Sequence, residues 1–242
     1  MQYFFDTVET IPAGVGFSYF GPLHLTWIAL GVLFSVLSCR VYKRASSDRR
    51  RTMRCTYAVL IILNECFKTV CLLIGGTWDP KYLPLHLCSI NIFLIAWHAV
   101  RPNRMLDNFL YAVCIPGAAA ALLFSSWSAL PLCNFMHLHS FTIHILLLAY
   151  PVMLTYAGEI RPEPRMLPRS IGLLLLMAIP IHIVNLTLDT NFMYLVYPEP
   201  GNPLLWFEER FGNHLIGLPF LLFAVCLIMY LPVLFLRKKR SK

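Results

Sequence analysis

Long apolar runs recur along this chain and constrain its fold more than any other feature. A helix needs about 20 mostly apolar residues to cross roughly 30 Å of hydrocarbon. Continuous runs of this kind argue against a β-barrel, whose strands show ten-residue segments of alternating polarity. We therefore predict an all-α, polytopic membrane protein, a seven-transmembrane-helix bundle that forms a single domain over residues 1–242. The spans lie near 22–42, 55–75, 84–100, 106–124, 139–157, 168–188 and 213–236.

The composition excludes several other classes. Of the 242 residues, 58% are hydrophobic and only 13% are charged, whereas a soluble domain is about 45–50% apolar and about 25% charged. A soluble fold of this length has no core large enough to hide so much apolar surface. An ordinary cytosolic enzyme, a disordered chain and a disulfide-stapled secreted module are thereby excluded.

The distribution of basic residues predicts the orientation. Residues 43–54, after the first run, carry six basic side chains and one acid, and the loops 101–105 and 158–169 and the tail 237–242 are also basic. The loops between them are neutral or acidic. The positive-inside rule then places the N-terminus outside and the C-terminus in the cytoplasm of a multi-pass protein of the plasma membrane. The basic clusters meet anionic headgroups, so we expect membrane lipids as partners and no nucleic acid.

Cysteine usage adds little. None of the eight cysteines has a partner at CxxC or zinc spacing, and most lie inside predicted helices, where cysteine behaves as a small hydrophobe. Cys133 is the one in an outward loop. A disulfide from Cys133 to Cys71 is open, although the spacing does not support it.

Polar residues concentrate in the outer half of the predicted bundle, where seven of the eight histidines fall. Polar side chains inside a bilayer usually face the bundle interior and mark function. Among them His182, Asn185 and Asp189 stand at i, i+3 and i+7, on one helix face. We predict a polar, histidine-rich cavity, although histidines near an interface can also contact headgroups. Its candidate binding residues are His24, His182, Asn185, Asp189, Asn191 and His214.

Two further groups of polar residues leave alternatives open. Asn64, Glu65 and Lys68 fall near mid-membrane, and Glu65 and Lys68 at i, i+3 can form a structural ion pair or a proton or ion relay. A zinc site would use His137, His139 and His144, with His182 or Asp189. The spacing of these histidines is not diagnostic and no HExxH motif is present, so we expect no metal and no cofactor.

Three segments carry a family resemblance. The runs LPLHLC at 83–88, FTIH at 141–144 and DTNFMYL at 189–195 resemble the YwaF-type bacterial integral membrane proteins, which are grouped with transmembrane protein 164 of animals. The resemblance covers nearly the whole chain. It implies a lipid acyltransferase that uses a cysteine and a histidine, and the animal relative is also similar to the androgen-induced transmembrane hydrolases, which use threonine and histidine. In this chain the implied nucleophile is Cys88 or a nearby position on the third helix, with His144 as base and His86 as a further catalytic position. Where the animal relative has its cysteine, directly before the histidine, this chain has Leu85.

Two classes of function therefore remain open. The first is a lipid acyltransferase or hydrolase with a Cys88–His144 pair in a thiol-based acyl transfer. The second is a transporter or binding protein for a small polar or anionic solute, with Glu65 and Lys68 as the coupling pair. A structural membrane protein, whose histidines only meet headgroups, is a third interpretation.

Overall fold

The computed structural model describes residues 2–198 and 202–240, and in these ranges every regular element is helical. The helices are α1 Pro22–Arg44, α2 Ser47–Ile74, α3 Leu87–Val100, α4 Arg104–Phe109, α5 Ile115–Leu123, α6 Phe135–Ala157, α7 Leu167–Leu188, α8 Leu204–Phe211 and α9 Gly217–Arg240. A π turn, Leu110–Cys114, joins α4 and α5 into one continuous rod.

Six helical stretches in the described part of the chain are long and apolar enough to cross a membrane. Their leucine, valine, isoleucine and phenylalanine side chains are widely exposed on the outside of the bundle, as lipid-facing side chains are. The all-helical membrane protein is confirmed. The six stretches are Pro22–Arg44, Ser47–Ile74, Arg104–Leu123, Phe135–Ala157, Pro164–Leu188 and His214–Leu234.

The third predicted span is shorter than the sequence indicated. Helix α3 has 14 residues, which at 1.5 Å per residue span about 21 Å rather than 30 Å. The chain enters it through a 3-10 turn, Pro80–Tyr82, followed by a tight turn in which Leu85 N–H donates to the carbonyl of Leu83 at 2.8 Å. Residues 83–86 are thus not helical, and the predicted start at 84 moves to 87.

Helices α2 and α6 begin earlier than their apolar runs. The first two turns of α2 contain Arg50 and Arg54, whose guanidinium groups both bind Glu159 at 3.1 Å. Helix α6 begins at Phe135 because the Asn134 side chain caps it, with Oδ1 accepting from the N–H of Met136 at 2.9 Å. Polar residues therefore extend both helices beyond the bilayer-sized run.

Helix α6 is the most buried span and forms the centre of the bundle. It runs parallel to α1, since Trp27 contacts His137 near one end and Tyr42 contacts Glu159 near the other. It runs antiparallel to α2, since Asn64 bonds Thr142 while Arg54 reaches Glu159. We call the end with Glu159 and residues 45–46 the basic end, and the opposite end the N-terminal end.

The N-terminal segment packs across the N-terminal end. Asn134 Nδ2 donates to the carbonyls of Tyr3 and Asp6 at 2.8 and 2.7 Å. Cys71 and Cys133 are both free, so no disulfide joins them. Of the basic tail, residues 241–242 lie outside the described part of the chain.

Candidate functional site

The histidines differ in whether both ring nitrogens are hydrogen-bonded to other residues, and on this basis they form two groups. In the first group both nitrogens are bonded within the fold. The Nδ1 atom of His24 accepts from Phe20 N–H at 2.9 Å and its Nε2 donates to the Leu122 carbonyl at 2.7 Å. His137 accepts from Trp27 Nε1 at 2.9 Å and donates to a backbone carbonyl. The members of this group are His24, His98, His137 and His214.

Asn185 and His214 hold the loop that follows α7. The Asn185 amide bonds both backbone groups of Phe192, accepting from its N–H at 2.8 Å and donating to its carbonyl at 3.0 Å. It also accepts from the hydroxyl of Thr190 at 3.0 Å. His214 Nε2 donates to the carbonyl of Tyr194 at 2.8 Å. Two residues predicted for ligand binding are thus bonded to the backbone of residues 190–194.

The predicted stripe His182, Asn185, Asp189 is divided by the structure. Asp189 ends α7 in the left-handed conformation, with φ 53°, and is exposed, whereas Asn185 is buried. His182 is half-buried and makes no hydrogen bond to any described residue. Asn191 closes its own loop, accepting from the N–H of Val196 at 3.1 Å.

His144, which is half-buried, has one ring nitrogen without a hydrogen-bond partner among the described residues. Its Nδ1 lies 2.6 Å from the carbonyl oxygen of Ser140. A carbonyl can only accept, so Nδ1 carries the proton and Nε2 presents its lone pair. No described residue hydrogen-bonds that Nε2. The indole of Trp127 stacks on the imidazole, with ring centres 5.2 Å apart and 10° between the planes, and so fixes the ring's orientation.

His139 is oriented in a similar way by α2. Its Nδ1 lies 2.7 Å from Oδ1 of Asn64, and the amide nitrogen of Asn64 donates to the Thr142 hydroxyl at 2.6 Å. The other ring nitrogen, Nε2, is 3.7 Å from the Glu65 carboxylate. Asn64 of α2 thereby fixes the His139 ring and also bonds a second residue of α6, Thr142.

Glu65 and Lys68 form a buried ion pair beside His139. Lys68 Nζ lies 2.5 Å from Glu65 Oε1, and the two side chains are only 8% and 12% exposed. The ammonium also donates to the Tyr82 carbonyl at 3.2 Å. Apart from the ion pair, neither carboxylate oxygen accepts a hydrogen bond from the described residues. A carboxylate with this unused capacity is costly to bury, and the nearby charge compensates it.

His86 connects this interior to the loop after α7. It is the N-cap residue of α3, and its Nδ1 accepts from Met193 N–H at 3.4 Å. Its ring packs edge-to-face with that of Phe192, with ring centres 5.2 Å apart. The positive charge of Lys68 is close enough to interact electrostatically with the imidazoles of His86 and His139. The segments 83–88 and 189–195 therefore meet at His86.

Cys88 makes no hydrogen bond to His144. It is a half-buried residue in the first turn of α3 and packs against the main core cluster. Its thiol is within electrostatic range of Cys114, whose Sγ lies 3.4 Å from the Leu147 carbonyl. Leu147 is one turn from His144 on the same face of α6. No hydrogen bond joins Cys88 and His144, so their pairing stays a prediction.

We call the group on α2, α3 and α6 the interior cluster. The sequence analysis treated Glu65 and Lys68 as separate from the histidines, because a linear pattern does not show that α2 packs against α6. Within the described residues, no three His, Cys, Asp or Glu side chains converge to hold a metal ion. The interior cluster consists of Asn64, Glu65, Lys68, His86, Cys88, His139 and His144.

Comparison with models of protein families finds a match over most of the chain. The model of the TMEM164 family matches residues 19–230, a range that includes every residue of the interior cluster and the loop that contacts His86. No curated protein and no solved structure matches the chain.

Proposed function

The chain belongs to the TMEM164 family, and from this membership and the interior cluster we propose that it is a membrane enzyme acting on lipid acyl chains, as an acyltransferase or hydrolase. The observation that supports the proposal is the arrangement of the His144 imidazole. Its Nδ1 proton is committed to Ser140 and Trp127 fixes the ring, so Nε2 is a positioned, unoccupied general base.

The reaction has two steps, with Cys88 as the nucleophile. Its thiol proton passes to His144 Nε2 while the sulfur attacks the ester carbonyl of a phospholipid. The ester C–O bond breaks, the acyl group stays on sulfur as a thioester, and the leaving lysolipid oxygen takes the proton from the imidazolium. An acceptor hydroxyl or water then attacks the thioester and restores the thiol.

The location of Cys88 at the start of α3 supplies a second element. The first N–H groups of a helix have no partner within the helix, and His86 caps α3 without a side-chain hydrogen bond to them. These donors suit the oxyanion that forms on the ester carbonyl. His86 belongs to the same site, where its ring borders this turn.

The membrane arrangement is part of the proposal. Helix α3, together with the half-buried residues 80–86, adds a crossing to the six long spans, so that the chain crosses the membrane seven times. The N-terminus is outside and the basic end is in the cytoplasm of a plasma-membrane protein. The lipid ester then reaches the interior cluster laterally from the outer half of the bilayer. His182 faces this same half.

Trapping of the acyl-enzyme tests the proposal. The protein is reconstituted in nanodiscs with a phospholipid that carries an alkyne-tagged acyl chain, in a background with the exposed Cys66 and Cys133 changed to serine. We expect a tag on the protein that hydroxylamine removes. Cys88→Ala abolishes it, and His144→Ala slows its formation about 10²–10⁴-fold. Cys114→Ala, next to Cys88, is the matched control and keeps the tag.

Two results would contradict the proposal. One is a tag that remains in Cys88→Ala and is lost in Cys114→Ala, which would identify Cys114 rather than Cys88 as the nucleophile. The other is a folded wild-type protein that never acquires a tag. That result would end the thioester mechanism and favour the solute transporter with Glu65 and Lys68 as its coupling pair.

A further inference from the structure

A groove at the basic end lies outside the interior cluster and is lined almost entirely by cations. Its volume is about 410 Å³, and its lining consists of Arg40, Lys43 and Arg44 of α1 together with Tyr156 of α6. Lys43 Nζ lies 4.7 Å from the centre of the Tyr156 ring. Three positive charges thus share one open groove whose lining contains no acid.

These cations differ from their neighbours at the same end. Arg50 and Arg54 are neutralised by the carboxylate of Glu159, each at 3.1 Å. The side chains of Arg40 and Arg44 make no ion pair or hydrogen bond with any described residue, and the Lys43 ammonium contacts only the tyrosine ring. Like charges gathered in one groove raise the electrostatic potential there, which favours an anion.

Helix electrostatics explain only part of this pattern. Basic residues in the last turn of a helix complement its dipole, and Lys43 and Arg44 occupy that turn of α1. Arg40 lies a full turn earlier, and Tyr156 belongs to another helix. The helix dipole of α1 therefore does not explain why all four side chains line one groove.

The face of α1 that leads to the groove is apolar. Leu33, Val36 and Leu37 precede Arg40 by seven, four and three residues, which places them on its helix face. They are 55%, 41% and 49% exposed. A stripe of exposed aliphatic side chains thus runs along the helix and ends, at the headgroup level, in a cationic groove.

We propose that this groove binds the phosphate of an anionic phospholipid, whose acyl chain lies along the stripe of Leu33, Val36 and Leu37. The guanidinium of Arg40 offers paired N–H donors to the phosphate oxygens. Lys43 adds a second charge, and the Tyr156 ring keeps its ammonium at the rim of the groove. The acyl stripe and the phosphate groove together select a lipid rather than a free anion.

Thermal unfolding in a neutral detergent tests the proposal. The melting temperature of the wild-type protein is measured against added phosphatidylglycerol, phosphatidylcholine and inorganic phosphate. We expect phosphatidylglycerol to raise it and the other two to leave it unchanged. In Arg40→Gln/Lys43→Gln the midpoint concentration of phosphatidylglycerol rises about 30-fold, from roughly 1 kcal/mol for each cation near a membrane surface.

The matched control is Arg49→Gln/Arg51→Gln. It removes the same charge from exposed residues of α2 at the same end, outside the groove, and retains the wild-type midpoint. Equal midpoints in both double variants would overturn the proposal, since binding would then follow net charge. A shift produced by inorganic phosphate alone would also overturn it, by showing an anion site without lipid specificity.

Discussion

Replacement of Lys68 by methionine tests whether the interior cluster depends on its buried ion pair. The ammonium lies 2.5 Å from the Glu65 carboxylate, and both side chains are at least 88% buried, with exposed fractions of 8% and 12%. Methionine fills similar space but leaves Glu65 charged and unpaired. Breaking a buried pair from one side costs about 3–5 kcal/mol, and we expect Lys68→Met to lower the free energy of unfolding by this amount.

The double variant Glu65→Leu/Lys68→Met separates the pair from its surroundings. Replacing both charges by apolar groups is often neutral in stability, so we expect it to recover most of the loss. The measurement is reversible unfolding by SDS in mixed micelles, followed by helix content. The exposed pair Lys81–Glu9, at 2.6 Å with 40% and 59% exposure, is the matched control. There Lys81→Met changes stability by less than about 1 kcal/mol.

A cost for Lys68→Met as small as that for Lys81→Met would refute the reasoning, because the pair would then be effectively solvated. A double variant no more stable than Lys68→Met would refute it differently, by showing that the lysine stabilises the bundle through the Tyr82 carbonyl rather than through Glu65.

Two further predictions concern helix packing and capping. At Gly31 an added Cβ would lie 3.1 Å from Ile145 Cγ1, so Gly31→Val lowers the free energy of unfolding by about 1–3 kcal/mol. Gly172, with no atom within 4 Å of its added Cβ, is the control, and a comparable loss in Gly172→Val would contradict the contact. Asn134→Ala removes the cap of α6 and the bonds to the N-terminal segment, at a cost of about 2–3 kcal/mol. Limited proteolysis checks it, since residues near the N-terminus become cleavable, and unchanged protection would contradict the role of the cap.

Hydropathy predicted the membrane spans because their cause is local composition. It missed the true start of α3 because Leu83 and Leu85 extend the apolar run of that helix, while their backbone follows a 3-10 turn capped by Asp79. It also shortened α2, whose first turns are basic and gain their stability from Glu159, 105 residues away from Arg54 in sequence. A window of about twenty residues contains no information about such a partner.

For the polar residues, even less of the structure could be predicted from the sequence alone. The predicted depth in the membrane placed seven of the eight histidines in one layer, but the role of each depends on which way its ring points. His137 and His139 are two residues apart and therefore face different sides of α6. One is bonded to Trp27 of α1 and the other to Asn64 of α2. Helical spacing predicts that they diverge, but only the packing of α1 and α2 on α6 decides which one joins the interior cluster.

The loop after α7 gives the polar residues around it a common role. Met193 and Tyr194 are consecutive non-glycine residues with φ of 59° and 56°, a conformation that costs of order 1–3 kcal/mol each and persists only where the surroundings fix it. Asn185, His86 and His214 supply those bonds. In turn the loop holds His86, and His86 caps the helix that carries Cys88. The strained backbone thus helps to fix the start of α3, the helix on which the proposed acyl transfer places its nucleophile.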